Sequence, residues 1–131
     1  MKYKCIIFDC DGVLVDSEAI STKVMVDLLK TVDYNIDMET AIDLFTGLAL
    51  KDNFALVEKE LGKKLPEDFE AIYRKLSFEA FQRDLKPING VRELLDKLTM
   101  PYCVASSGPT NKIKLNLKVT NLSQYFNDNI F

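Results

Sequence analysis

The chain has 131 residues, 17 basic against 20 acidic side chains, a net charge of −3 and no histidine. That length suits one ordinary domain, and a mild negative charge without a basic stripe argues against a nucleic-acid partner. No apolar stretch approaches the length of a membrane span, and Met1-Lys2-Tyr3 runs straight into an apolar segment with no signal peptide, so the expected compartment is the cytoplasm.

Residues Tyr3 to Ser17 read YKCIIFDCDGVLVDS. The short apolar run Cys5 to Phe8, closed by Asp9, Cys10, Asp11 and Gly12, fits a strand buried on both faces of a parallel sheet. Asp9 then stands at a strand's C-terminal end, where open α/β sheets bind ligands. Asp9 and Asp11 can face one small volume while Gly12 lets the backbone swing away. Two close carboxylates stay ionised together only if a cation or hydrogen-bond donors offset their repulsion. A magnesium ion, which takes one or two carboxylates and leaves room for water and phosphate, is the simplest cation. The same residues also fit a plain turn that caps the next helix, and the glycine comes too early for an EF-hand. Cys5, Cys10 and Cys103 are an odd number without CxxC spacing and read as small buried residues in a reducing compartment. A zinc site at Cys10 would find no histidine to complete it.

Asp16 or Ser17 can cap a helix with Ile20, Val24 and Leu28 at helical spacing. Asp37 can cap a short helix carrying Ala41, Ile42 and Phe45, which stops at Gly47. After the loop TGLALKD comes a helix with Phe54, Leu56, Val57 and Leu61, ended by Gly62. Pro66 suits the first turn of a longer helix carrying Phe69, Ile72, Tyr73, Leu76, Ala80 and Phe81. These four helices, from about residue 17 to 85, predict a small bundle. The turn Leu85 to Gly90 returns the chain, and a helix with Val91, Leu94, Leu95 and Leu98 follows. Tyr102 to Ala105 is a second apolar run, ending in Ser106-Ser107-Gly108-Pro109. A serine hydroxyl and free amides at a helix start bind phosphate oxygens, and they serve equally as an ordinary cap. On the helix 109–119, Lys112, Lys114 and Lys118 read as a solvated face. A short helix near Asn121 to Phe126 precedes Asp128 to Phe131, which begins another strand.

The run Asp9-Cys10-Asp11-Gly12-Val13-Leu14-Val15-Asp16-Ser17-Glu18 resembles the first signature of the haloacid dehalogenase-like hydrolases. Its ending is similar to the branch with a helical cap inserted after the first strand, which holds sugar-phosphate phosphatases and beta-phosphoglucomutase. The apolar strand ending in Ser106 resembles the family's second motif, and residues 86–131, through PYCVASSGPTNK and YFNDNIF, are particularly close to a bacterial sugar-phosphate phosphatase. The resemblance implies an α/β fold: a partial doubly wound parallel sheet, Rossmann-like, formed by 1–16 and 86–131, with an inserted four-helix cap at 17–85.

It also implies magnesium-dependent hydrolysis of a small sugar phosphate through an aspartyl phosphate. Asp9 would be the nucleophile and Asp11 the proton carrier, with Mg2+ held by the Asp9 carboxylate and the Asp11 backbone carbonyl, and Ser106 and Ser107 holding phosphate oxygens. In the cap, Gly47 permits close approach and Lys51 can meet a second anionic group, although Lys51 also reads as a solvated loop lysine. The expected partner is a phosphorylated small molecule, and the residues give no oligomeric state. The family's lysine after the third strand and acidic pair after the fourth have no counterpart here. The expectation is therefore a truncated chain with Cys5 to Phe8 left as an apolar edge, and an inactive fragment is one alternative. A mutase of the beta-phosphoglucomutase type is the other, but Ser21 stands where that enzyme has a histidine, which favours hydrolysis.

Overall fold

The computed structural model describes residues 2–131. Strand β1 (Ile6–Phe8) is followed by helices α1 (Glu18–Leu29), α2 (Met38–Phe45), α3 (Leu50–Leu61), α4 (Phe69–Asp84) and α5 (Val91–Lys97). Strand β2 (Tyr102–Val104) and helices α6 (Thr110–Val119) and α7 (Ser123–Phe126) complete the order. The chain divides into two compact units, Glu18–Ala80 and the residues on either side of it. No helix among the described residues is long and apolar enough to cross a membrane.

In the unit formed by the two chain ends, β1 and β2 pair in parallel with Ile6 opposite Tyr102 and Phe8 opposite Val104. Parallel neighbours need a crossover, and here it contains the whole helical unit as well as α5. Val104 bridges onward to Ile130, also in parallel, so a third strand begins beside β2. The rings of Phe8, Tyr102 and Phe126 meet edge to face, with centroids 5.4 to 6.2 Å apart, and clamp α7 onto the strand pair. Leu14, Val15, Val104, Leu117 and Leu122 are fully buried in the same unit.

Two expectations need correction. Cys5 to Phe8 is not buried on both faces: Ile7 is 69% exposed. Among the described residues β1 pairs only with β2, so its other edge is unpaired. The three cysteines are not alike either, since Cys5 is exposed, Cys103 half-buried and only Cys10 buried.

The other unit is helical. Asp37 caps α2, its Oδ1 accepting from the Thr40 amide at 2.7 Å, and that bond holds its carboxyl below the usual range. Gly62 ends α3 with φ of +70°, the left-handed conformation that glycine adopts without steric cost. Met25, Leu29, Ala41, Phe45, Val57 and Phe69 form the core, and the Phe54 ring stands edge-on to Phe69 and Tyr73. Leu29 has no exposed surface, whereas Ile42 is 42% exposed. Leu29→Ala is expected to destabilise the protein by about 2–5 kcal/mol and Ile42→Ala by no more than about 0.5 kcal/mol. Urea unfolding followed by far-ultraviolet circular dichroism measures both.

Candidate functional site

The end of β1 opens into a turn that folds back on itself. The Cys10 carbonyl accepts from the amides of Val13, Leu14 and Val15 at 2.9 to 3.3 Å, and the Gly12 amide donates to the Val15 carbonyl at 2.9 Å. Gly12 takes φ of +75° to make this possible. The turn is then tied to the returning chain. The Asp16 amide donates to the Lys86 carbonyl at 2.9 Å, and the Ile88 amide to the Leu14 carbonyl at 3.0 Å.

Each predicted residue of the first unit falls at this end of the sheet. The Ala105 amide donates to the Phe8 carbonyl at 2.8 Å, so Asp9 and Ser106 follow directly from paired positions on adjacent strands. The Asp9 side chain is exposed, and its Oδ1 accepts from the Cys10 amide at 2.7 Å. Ser106 Oγ accepts from the Gly108 amide at 3.2 Å, and its own amide donates to the Phe131 carbonyl. Ser107 is exposed on the same turn, and α6 begins at Thr110 with Pro109 as its cap residue. Gly47 and Lys51 belong to the helical unit, Gly47 with φ of +86° after α2 and Lys51 exposed in the first turn of α3.

Asp11 is held at both oxygens. Ser17 Oγ donates to Oδ1 at 2.8 Å, and Lys112 Nζ lies 3.3 Å from Oδ2. The ammonium also stands over the Phe81 ring, 5.6 Å from its centroid. Lys112 is thus no part of a solvated face, and the sequence reading missed it. A lysine in a helix's first turn opposes the helix dipole. That oddity is the one sequence signal pointing to an acidic partner.

Among the described residues no three acidic, cysteine or histidine side chains gather as a metal cage. The exposed Asp9 carboxylate and the Asp11 backbone carbonyl on one turn are oxygen donors, which do not suit zinc but suit a hard ion that keeps water and phosphate among its ligands. Cys10, between the acids, is pushed up to about 12, first by burial and then by the negative charge of Asp11, with Lys112 opposing.

These features are those of a known group. The chain belongs to the haloacid dehalogenase-like hydrolase family, whose sequence profile it matches over residues 6–130. It is 34% identical to the 6-phosphogluconate phosphatase of Escherichia coli strain K12 over 131 residues, 99% of this chain and 59% of that protein. A haloacid dehalogenase-like protein of unknown function from Agrobacterium tumefaciens C58 superposes with a TM-score of 0.89 at 36% identity, over 98% of this chain and 58% of that one. A family hydrolase from Deinococcus radiodurans R1, solved with bound phosphate and sodium, gives 0.78 at 26% identity, over 98% and 57%. The chain therefore spans about three-fifths of the length of these relatives.

Burial and a raised pKa together make Cys10 a poor nucleophile, because only the thiolate reacts. At pH 8 a thiol with a pKa near 12 is ionised to roughly one part in ten thousand. Iodoacetamide at pH 8 is expected to label Cys5 and to leave Cys10 unmodified in the folded protein, as read by peptide mass spectrometry. In the unfolded chain Cys10 ionises near its ordinary value, so its contribution to stability is full below about pH 9 and declines as pH rises towards 12.

Proposed function

We propose that the protein carrying this chain hydrolyses the phosphate monoester of a small sugar or sugar acid, by way of a phosphorylated aspartate. The observation that carries this reading is the register of β1 and β2, which sets Asp9 and Ser106 at neighbouring strand ends, with Asp11 on the turn that Asp9 opens. A phosphatase of 6-phosphogluconate among the relatives and a bound phosphate in another support the substrate class.

The chemistry divides among the residues of the turn. An Asp9 carboxylate oxygen attacks phosphorus, the bond from phosphorus to the sugar oxygen breaks, and Asp11 gives its proton to that departing oxygen. Water then attacks the phosphorylated Asp9, Asp11 takes a proton from that water, and orthophosphate leaves with Asp9 restored. Splitting one displacement into two gives each step a better nucleophile or leaving group. Ser106 Oγ and the Ser107 amide hold the remaining phosphate oxygens. A magnesium ion held by the Asp9 carboxylate and the Asp11 backbone carbonyl would supply charge compensation for the transferring group.

The helical insert, read from the sequence as 17–85 and compact over Glu18–Ala80, acts as the cap that selects the substrate, with Gly47 allowing close approach and Lys51 meeting a second anionic group. The reducing cytoplasm suits its three free thiols. The complete gene product, supplied with magnesium, is expected to release orthophosphate from 6-phosphogluconate or a related sugar phosphate. Asp9→Asn should lower turnover at least about a thousandfold and Asp11→Asn by about 10²–10⁴, with chelation by EDTA abolishing activity and magnesium restoring it. Wild-type turnover in Asp9→Asn, or no release from any sugar phosphate, would refute the reading.

A further inference from the structure

We propose that Lys112 is a positioning residue of this site, fixing the Asp11 carboxylate through Oδ2 while Ser17 fixes it through Oδ1. The inference rests on Asp11 being the proton carrier, and the contact itself stands independently of that role.

The ammonium is placed where stability alone would not put it. It lies in the first turn of α6, at the end of the helix dipole that repels cations. Its side chain is 29% exposed and that of Asp11 35%, so part of the ammonium's hydration is lost. An ion pair this exposed adds little to stability, and the lysine loses rotamer freedom in forming it. What the arrangement does define is direction. Phe81, only 2% exposed, gives the ammonium a rigid aromatic face. Ser17 is likewise buried. With one oxygen on each anchor, the plane of the Asp11 carboxylate is set. A carboxylate has about four acceptor positions, and the two anchors occupy two, so each oxygen keeps one for a proton or a water.

The link spans 101 residues and joins the turn after β1 to α6, the helix that follows Ser106 and Ser107.

The test uses the complete gene product as wild type, Lys112→Met, Lys112→Arg and Asp11→Asn. With p-nitrophenyl phosphate, Lys112→Met is expected to lower kcat by about 10- to 100-fold, the scale of a misplaced reacting group, and to move KM by less than about threefold. Lys112→Arg keeps a charge within reach of one oxygen and should recover kcat to within roughly threefold of wild type. An unchanged kcat in Lys112→Met overturns the proposal. So does a raised KM at constant kcat, which would make Lys112 a substrate ligand. The proton–nitrogen NMR signal of the Lys112 ammonium, identified by its loss in Lys112→Arg, reads the contact without turnover and should move in Asp11→Asn. If the wild type hydrolyses no phosphate ester, the phosphatase reading falls and this signal alone decides the inference. A signal indifferent to Asp11→Asn then overturns it, and one that moves supports it.

Discussion

The parallel pairing of Ile6–Phe8 with Tyr102–Val104 joins segments nearly a hundred residues apart, and the position of every candidate side chain in that unit follows from it. Three backbone positions are in register, and both strands then break at the same level into short polar turns. The acids of one turn and the serines of the other are neighbours because the strands are parallel. An antiparallel pairing would send the two turns to opposite ends of the sheet. The edge-on cluster of Phe8, Tyr102 and Phe126 fixes the same register from one face. The site thus depends on a small core, in which a ring or a strand residue has few substitutes.

Electrostatics supplies the second constraint. Asp9 and Asp11 are two residues apart on a turn, and neither faces a large body of positive charge. Asp9 draws on a backbone amide, and Asp11 on a hydroxyl and an ammonium. These donors satisfy the acids unequally, leaving Asp9 exposed and Asp11 held in one orientation. A nucleophile needs a free lone pair, and a proton carrier needs a fixed direction. The asymmetry is what the roles proposed for Asp9 and Asp11 would require.

Much of the architecture is legible in the sequence. Helical spacing of apolar residues and the end signals Asp37 and Gly62 mark the helices between residues 18 and 84 because such signals are local. The strand at Tyr102 and the helix start at Pro109 are legible for the same reason. Burial is less so. Cys5 to Phe8 reads as enclosed on both faces because an apolar run records the environment that suits it, whereas Ile7 is left mostly exposed. Lys112 illustrates the other limit. Its partner lies 101 positions away, and no periodicity within one helix carries that information. The grouping of Asp9, Asp11 and Ser106 is expected only through a resemblance of motifs, since composition and spacing alone leave a capped turn equally possible.

The paired segments around Val15 and Pro87 have a consequence of a different kind. Because the two stems are stitched together by their own backbones, everything carried between them is, thermodynamically, one long loop whose mouth is already closed. Doubling the length of such a loop costs only about 0.6 kcal/mol of closure entropy. An insert anchored in this way can lengthen, shrink or be exchanged for another while the strand pair and its two turns keep their places.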